Sequence, residues 1–323
     1  MKKNVAVVAG GYSSEYEVSL RSAETVSAAI DPERYNVYGV VLKQDAWTAL
    51  LPDGETAPVN KNNFSFSCGG DTVSIDYAYI TIHGTPGEDG RLQGYFDMLR
   101  IPYSSCGVLA SALTFNKYIC NCFLESRGIS VAASIRLRRG ESLATDQIVA
   151  RLGLPVFVKP NNSGSSFGIS KVKDAAQMQP AIGKAFAEGD EVIIERFVPG
   201  LEVTCGCYSV KGNIIALPLT EVIPANEFFD YGAKYNGESQ EITPARLSGE
   251  LTGLIQRETK TIYELIGARG MIRADYILSA EGHPLLLEVN TTPGMTATSF
   301  IPQQIRAAGS DLRNVLTDII ENG

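Results

Sequence analysis

Residues 271–292 read MIRADYILSAEGHPLLLEVNTT, and this stretch guides the interpretation of the whole chain. Two runs of strand-forming residues flank Glu281-Gly282, where we expect a tight turn. A two-residue turn there predicts an antiparallel ladder that pairs position 275 with 288 and position 273 with 290. Residues two apart on a strand point to the same face, so these four side chains share one face of the ladder.

The side chains on this face are Arg273, Asp275, Glu288 and Asn290. Paired positions have Cβ atoms about 5 Å apart, so two carboxylates and an amide oxygen would converge. They would repel each other unless a hard cation lay between them, and magnesium is the natural choice. A solvated strand face is the alternative. It is disfavoured by the apolar residues that we assign to the opposite face, which are Ala274, Ile277, Leu286 and Val289.

The composition is that of a globular protein, with 44% apolar and 20% charged residues among 323, which excludes intrinsic disorder, collagen and coiled coils. The length favours two or three domains. A net charge of −8 leaves no basic excess for a phosphate backbone, so we expect no nucleic-acid partner. Apolar runs fall far short of the roughly 20 residues that span a bilayer, so we expect no membrane association. Six scattered cysteines favour free thiols in the cytoplasm.

The N-terminal third predicts an open parallel α/β sheet. Strand-like runs occupy residues 5–9, 35–42 and 76–82. Such sheets bind ligands in the loops at the carboxyl ends of their strands. Glu15 follows the first run, and His83 and Glu88 follow the third, so these side chains could hold and orient an ammonium group. The simpler readings are that Glu15 caps the next helix and that His83 hydrogen-bonds its own loop.

A glycine- and serine-rich segment, KPNNSGSSFG at 159–168, follows a predicted strand at 155–159. Glycines allow a ligand to approach the backbone, hydroxyl and amide groups suit phosphate oxygens, and Lys159 adds a positive charge. The segment is not a Walker loop, because G-x-x-x-x-G-K-[ST] occurs nowhere in the chain. A flexible surface loop is the alternative.

The rest of the pattern predicts a helix over 111–127, a long functional loop over 221–244 and a last helix over 302–320. Strands dominate after residue 199. The fold class that follows is α/β, becoming α+β in the C-terminal part.

In their order and joint occurrence these motifs resemble the D-alanine:D-alanine ligases of the ATP-grasp superfamily, over essentially the whole length. The segments that carry the resemblance are GGYSSE (10–15), HG (83–84), GEDG (87–90), Lys117, KP (159–160), GSS (164–166), DYGAKY (230–235), Arg273 with Asp275, EVNTTPGM (288–295) and Ser299. Tyr16, Phe197 and Val198 depart from the commonest family residues, which bears on ATP affinity more than on chemistry.

The resemblance implies a three-domain ATP-grasp fold, with domains at 1–104, 105–194 and 195–323. It implies ATP contacts by Lys117, Lys159, Ser165, Ser166, Glu195, Phe197, Val198, Glu202 and Lys234. It implies two magnesium or manganese ions held by Asp275, Glu288 and Asn290. It implies substrate contacts by Glu15, His83, Lys234, Tyr235, Arg273, Ser299 and Phe300. The catalytic residues that it implies are Glu15, Ser165, Tyr235, Arg273 and Gly294.

The activity implied is ATP-dependent joining of two D-alanine molecules through a D-alanyl phosphate, with release of ADP and phosphate, for peptidoglycan precursor synthesis. A cytoplasmic homodimer is expected. Relatives that use D-lactate or D-serine share the catalytic groups, and Tyr235 favours D-alanine as the second substrate. A catalytically silent binding protein on the same fold is the alternative from another class, and the joint presence of Arg273, Asp275, Glu288 and Asn290 argues against it.

Overall fold

The computed structural model describes residues 2–162, 168–224 and 239–322. Within these ranges, none of the helices combines the length and the apolar character needed to cross a membrane.

The N-terminal part contains a mixed sheet. Its elements in chain order are β1 (Lys3–Gly10), α1 (Tyr16–Ala29), β2 (Tyr35–Leu42), β3 (Trp47–Leu50), β4 (Thr56–Pro58), β5 (Ser65–Cys68), β6 (Asp71–Ser74), β7 (Tyr77–Ile80) and α2 (Arg91–Leu99). The strand order is β4-β3-β2-β1-β7, and β5 and β6 form a separate hairpin. The predicted parallel pairing holds for β1 with β2 and β7. The antiparallel extension by β3 and β4 was not predicted.

The buried strand β1 explains why the N-terminal sequence begins with an unbroken apolar run. Successive side chains of a strand point to opposite faces. Val5 and Val7 pack with Val26 of α1 on one face, whereas Val8 packs with Phe96 of α2 on the other. Because both faces are covered, the strand needs no polar alternation.

The middle of the chain adds helices and a second sheet. The elements are α3 (Val108–Phe115), α4 (Lys117–Glu125), β8 (Ser134–Arg138), α5 (Thr145–Leu152), β9 (Val156–Pro160), β10 (Ser170–Val172), a 3₁₀ helix (Ala175–Gln177), α6 (Met178–Phe186) and β11 (Glu191–Arg196), with sheet order β10-β9-β11-β8. The single helix predicted over 111–127 is wrong. Asn116 adopts an extended conformation between α3 and α4, and its side chain accepts a hydrogen bond from the Ile119 amide as an N-cap.

The C-terminal part forms the third sheet. Its elements are β12 (Leu201–Val210), β13 (Asn213–Ala216), β14 (Thr220–Pro224), β15 (Ser239–Ile242), α7 (Gly249–Leu265), β16 (Ile272–Leu278), β17 (Pro284–Asn290), α8 (Phe300–Ala307) and α9 (Leu312–Asn322). The order is β15-β14-β12-β16-β17, with β13 beside β12. The loop predicted over 221–244 begins and ends in paired strands, β14 and β15, and its centre lies outside the described residues. The last helix is two helices, separated near Gly309, whose φ is +72°.

All six cysteines are free thiols, as predicted. Cys106, Cys120, Cys205 and Cys207 are buried in the apolar core on the C-terminal sheet, to which α3 and α4 also contribute. Burial raises the pKa of Cys106 to about 11 and that of Cys205 to about 12, so these thiols stay protonated and act as small apolar side chains. The domain boundaries after residues 104 and 194 stay predictions.

Candidate active site

The hairpin formed by β16 and β17 has the predicted pairing at its polar end but a different turn. Asp275 pairs with Glu288, and Arg273 pairs with Asn290. The turn contains three residues, 280–282, since the Ser279 amide donates to the His283 carbonyl at 3.0 Å. A β-bulge next to Asp275 compensates for the extra residue and restores the predicted register.

One residue on this hairpin faces the other way from our prediction. Ile277 lines the cavity beside Asp275, whereas Ala274, Leu286 and Val289 are buried on the opposite face as expected. Ile277 has the same strand parity as Asp275, and the two-residue periodicity of the strand therefore places it on the polar face.

Asp275 accepts four side-chain hydrogen bonds from three residues. The Arg273 guanidinium donates to both of its oxygens, from Nε at 2.8 Å and from Nη2 at 2.7 Å. Thr204 Oγ1 on the neighbouring strand β12 donates at 2.6 Å, and Asn290 Nδ2 donates at 3.0 Å. Asp275 is only 7% exposed, and bidentate pairing with several donors holds a buried carboxylate in one orientation.

Two lysines enter the cavity, each beside a carboxylate. Lys117, the first residue of α4, lies 3.4 Å from Glu288 Oε2, and Lys159 on β9 lies 2.6 Å from Glu195 Oε2 on β11. Burial alone would lower the pKa of Lys159, but Glu195 and the other nearby carboxylates outweigh it and raise the pKa. The cavity therefore contains fixed positive charge suited to an anionic ligand.

A network around Asn161 positions these lysines, and sequence reasoning missed it. Asn161 is fully buried two residues beyond Lys159. Its Oδ1 accepts from the Tyr118 amide at 2.8 Å, and its carbonyl accepts from the Lys117 amide at 3.3 Å. Its Nδ2 donates to Glu191 Oε2 on β11 at 2.8 Å. The end of β9, the start of α4 and β11 are thereby joined at one residue.

The residues of the hairpin fit a hard divalent cation. Asp275 and Glu288 lie on directly paired positions. The amide nitrogen of Asn290 donates to Asp275, which leaves the amide oxygen of Asn290 available as a third oxygen ligand for a metal ion. Magnesium binds through one or two carboxylates completed by substrate phosphates. The donor set therefore fits magnesium or manganese, and the metal site stays a prediction.

The N-terminal loops contribute the acidic end of the cavity. Glu15 is 7% exposed and occupies the N-cap position of α1, so the simpler reading holds for its position, but its side chain makes no capping hydrogen bond. Burial lowers the pKa of His83, whose Nε2 lies 3.4 Å from Ser22 Oγ, so the imidazole is neutral at pH 7. Burial and the charge of Glu15 raise the pKa of Glu88 to about 8. Glu88 is therefore largely protonated at pH 7.

The segment after β17 turns back over the hairpin. A Cβ at Gly294 would lie 2.9 Å from Ser299 Oγ, so a larger residue here would displace the Ser299 side chain. Ser299 Oγ lies 2.7 Å from Thr296 Oγ1 and accepts from the Thr296 amide at 3.1 Å. The Phe300 ring lies under the Arg273 guanidinium, 5.4 Å from its centroid. These contacts place Gly294, Ser299 and Phe300 around Arg273.

Aromatic side chains form the wall at the other end. The rings of Phe157 and Phe197 lie 5.9 Å apart, and Lys171 Nζ lies 3.9 Å from the Phe197 centroid. Glu195 also accepts from Asn121 Nδ2 at 3.4 Å. An aromatic, apolar wall beside hydrogen-bonding groups suits a purine-like ring.

One cavity of about 930 Å³ joins these ends. The predicted site residues that line it are Glu15, His83, Lys117, Lys159, Glu195, Phe197, Val198, Glu202, Arg273, Asp275, Glu288, Asn290, Gly294, Ser299 and Phe300. Ser165, Ser166, Lys234 and Tyr235 lie outside the described residues. Glu241, which lines the cavity, and Thr204, which is buried behind it and donates to Asp275, were missed because nothing in their local sequence marks them.

Comparisons with known proteins agree with this geometry. Residues 4–106 match the family model of the D-ala D-ala ligase N-terminus, and residues 123–321 match that of the C-terminus. The chain belongs to the D-alanine–D-alanine ligase family. The family resemblance and the enzyme class predicted from it, an ADP-forming ligase, are confirmed.

Relatives and solved structures cover the whole chain. A D-alanine–D-alanine ligase of Parabacteroides distasonis is 62% identical, covering 100% of this chain and 98% of its own. One from Bacteroides fragilis is 58% identical, covering 100% and 99%. The VanG D-Ala:D-Ser ligase of Enterococcus faecalis superposes with a TM-score of 0.89 at 32% identity, covering 99% of both chains. The D-alanyl-alanine synthetase A of Vibrio cholerae superposes with a TM-score of 0.89 at 29% identity, covering 99% of this chain and 98% of its own. The predicted ATP-grasp fold is confirmed.

Proposed function

We propose that this chain joins two D-alanine molecules into D-alanyl-D-alanine at the cost of one ATP, as a step of peptidoglycan precursor synthesis. One observation supports this most strongly. A single cavity contains a lysine- and carboxylate-lined end suited to a nucleotide phosphate and a Glu15 end suited to an ammonium group. Phosphoryl transfer and amide formation can therefore occur in succession without release of an intermediate.

At the nucleotide end, Lys117 and Lys159 bind phosphate oxygens, while Glu195, Phe197, Val198 and Glu202 hold the adenosine part. Ser165, Ser166 and Lys234 complete this contact set in our proposal. Asp275, Glu288 and Asn290 would hold two magnesium or manganese ions, which when bound offset the negative charge of the phosphates. Glu195 and Glu288 meanwhile keep the two lysines in place through their ion pairs.

At the amino-acid end, Glu15 binds the ammonium of the first D-alanine, with Ser165 and Tyr235 as partners, and neutral His83 packs behind it. The substrate carboxylate attacks the γ-phosphorus of ATP, forming the C–O–P linkage of D-alanyl phosphate as the bond to ADP breaks. The repulsion between these two anions is the main barrier, and the lysines reduce it.

The second D-alanine lies beside Lys234, Ser299 and Phe300. Its ammonium releases one proton to solvent, and the resulting amine attacks the acyl carbonyl. Phosphate leaves as the C–N bond forms and takes up the second proton that the nitrogen loses. Arg273 and the Gly294 amide stabilise the tetrahedral oxyanion, a role worth about 3 kcal/mol per donor. The Asp275 carboxylate fixes the guanidinium for this task through its two hydrogen bonds.

A D-Ala:D-Ser ligase activity is the second candidate, since VanG shares the fold at 32% identity. The relatives at 55–62% identity carry the D-alanine–D-alanine ligase name, which supports D-alanine as the second substrate. D-Serine differs from D-alanine by one hydroxyl, a change that an apolar pocket rejects only weakly.

We also propose that the enzyme is a cytoplasmic homodimer with domains at 1–104, 105–194 and 195–323. Exposed apolar side chains on α2 and α3 support a self-association surface. Met98 and Leu109 are each 79% exposed, and the helices that carry them meet where Gly94 approaches Val108. Light scattering of the wild-type enzyme and of Leu109→Glu tests this. A dimer that becomes a monomer in the variant is the expected result.

The activity is tested by incubating the enzyme with ATP, magnesium and D-alanine, and measuring phosphate release and product mass. D-Serine or D-lactate mixed with D-alanine, and L-alanine alone, serve as comparisons. Dipeptide from D-alanine alone is the expected result. Turnover only in the presence of D-serine or D-lactate would assign that compound as the second substrate. ATP binding without any turnover would favour a catalytically silent binding protein.

A further inference from the structure

Glu241 is an acidic residue of the active-site cavity that the mechanism above does not use. It lies on β15, directly paired with Val222 of β14, and both residues line the cavity. Arg273, Ser299 and Phe300 line the same cavity. Glu241 therefore shares the cavity with the residues to which we assign the second substrate.

The Glu241 carboxylate has a fixed position. Gln303 Nε2 donates to Glu241 Oε2 at 2.6 Å and to the Thr298 carbonyl at 2.7 Å. Gln303 Oε1 in turn accepts from Thr243 Oγ1 at 3.3 Å. Gln303 lies in the first turn of α8, four residues after Ser299, so the carboxylate is tied to the segment that would hold the second substrate.

Among the groups that the structure describes, Arg273 and Gln303 offset only part of the charge of Glu241. Burial raises its pKa, while the hydrogen bond from Gln303 and the positive charge of Arg273 act in the opposite direction. The Arg273 guanidinium itself is already bound to both oxygens of Asp275. An anion brought into this part of the cavity would therefore be repelled by the Glu241 carboxylate.

We propose that Glu241 selects the second substrate by net charge, rejecting 2-hydroxy acid anions in favour of zwitterionic amino acids. D-Alanine carries a net charge of zero, whereas D-lactate carries −1. The fixed Glu241 carboxylate therefore disfavours D-lactate, whichever end of the substrate it faces. D-Serine is also a zwitterion, so Glu241 does not distinguish it from D-alanine. This inference rests on the proposed ligase activity.

The test is a competition assay with the full-length enzyme, ATP and magnesium at pH 7.5. D-Alanine is mixed with D-lactate in one series and with D-serine in the other, and products are separated by mass. In Glu241→Gln the ratio of D-alanyl-D-lactate to D-alanyl-D-alanine is expected to rise about tenfold. The ratio of D-alanyl-D-serine to D-alanyl-D-alanine is expected to change less than twofold.

Two further variants separate charge from shape. Glu241→Asp retains the charge and should keep the wild-type D-lactate ratio within about threefold. Glu264→Gln removes an exposed glutamate on α7, far from the second-substrate residues, and should leave both ratios unchanged. Glu241→Ala decides the question if Glu241→Gln does not fold, because it also removes the charge.

An unchanged D-lactate ratio in the folded neutral variant would overturn the inference, and so would an equal rise with D-serine, which would indicate a loss of shape selection. Wild-type enzyme that makes no dipeptide from D-alanine alone would instead overturn the ligase proposal. The two failures are therefore distinguishable.

Discussion

Asp275 and Glu288 lie directly opposite each other on β16 and β17, and each carboxylate has its own cationic partner. Asp275 is bound by the Arg273 guanidinium at 2.7 and 2.8 Å, and Glu288 lies 3.4 Å from Lys117. The two side chains differ in exposure, at 11% for Asp275 and 24% for Glu288. They should therefore respond differently to neutralisation.

Glu288→Gln and Asp275→Asn should both lower kcat by at least about 1,000-fold, because each removes a carboxylate that would hold the metal ions, and those ions offset the negative charge of the phosphates. Only Asp275→Asn should also destabilise the fold strongly, by about 3 kcal/mol, since it removes the charge of a buried carboxylate that accepts two short hydrogen bonds from the Arg273 guanidinium. Denaturant unfolding measures this difference. The double variant Arg273→Met with Asp275→Asn should lose less stability than the sum of the two single variants. If the two losses in the free energy of unfolding simply add, the ion pair between the two residues is contradicted.

Asn161→Ala should weaken ATP use without affecting the amino-acid end. The substitution removes the acceptor of the Tyr118 amide and the donor to Glu191, so Lys117 and Lys159 lose their common support. We expect the KM for ATP to rise about tenfold, the KM for D-alanine to change less than twofold, and stability to fall by about 2 kcal/mol. Asn36→Ala, an exposed asparagine on β2, is the control. Equal rises in both KM values would indicate general loosening instead.

Glu258 on α7 should make stability depend on pH. Burial raises its pKa from 4.5 to about 7, and its Oε1 finds no hydrogen-bond partner among the described residues. The folded state then binds a proton more tightly than the unfolded chain, so this contribution to stability is present below pH 4.5 and lost as the pH rises through 7. Glu258→Gln should therefore be more stable than the wild type at pH 8 but not at pH 4.5. The urea concentrations at the midpoint of unfolding, measured at the two pH values, test this difference in stability. A variant less stable than the wild type at pH 8 would contradict the prediction.

The polar face of the hairpin could be predicted from sequence because it depends on strand periodicity and one turn. The predicted pairs 275–288 and 273–290 are correct. The predicted turn was one residue too short, and the bulge beside Asp275 compensates for the extra residue. Bulges depend on packing against neighbouring strands, here β12 with Thr204, and the local sequence contains no signal for them.

Helix ends and distant contacts were harder to predict. Asn116 separates α3 from α4, and the strong preference of asparagine for the N-cap position is a signal for this break. The apolar pattern that continues on both sides of Asn116 concealed it. The Asn161 network and the position of Glu241 depend on residues 30 to 62 positions away. Periodicity and short motifs carry no information about such contacts, so only the folded chain shows them.

The measurement that tests the mechanism most directly follows oxygen from substrate to phosphate. D-Alanine labelled with ¹⁸O in both carboxylate oxygens is incubated with ATP, magnesium and the enzyme, and the inorganic phosphate is analysed by mass. Attack of the carboxylate on the γ-phosphate followed by displacement by the second amine predicts one ¹⁸O in each phosphate released with dipeptide. Dipeptide formed with unlabelled phosphate would contradict the acyl phosphate and, with it, the roles assigned to the two ends of the cavity.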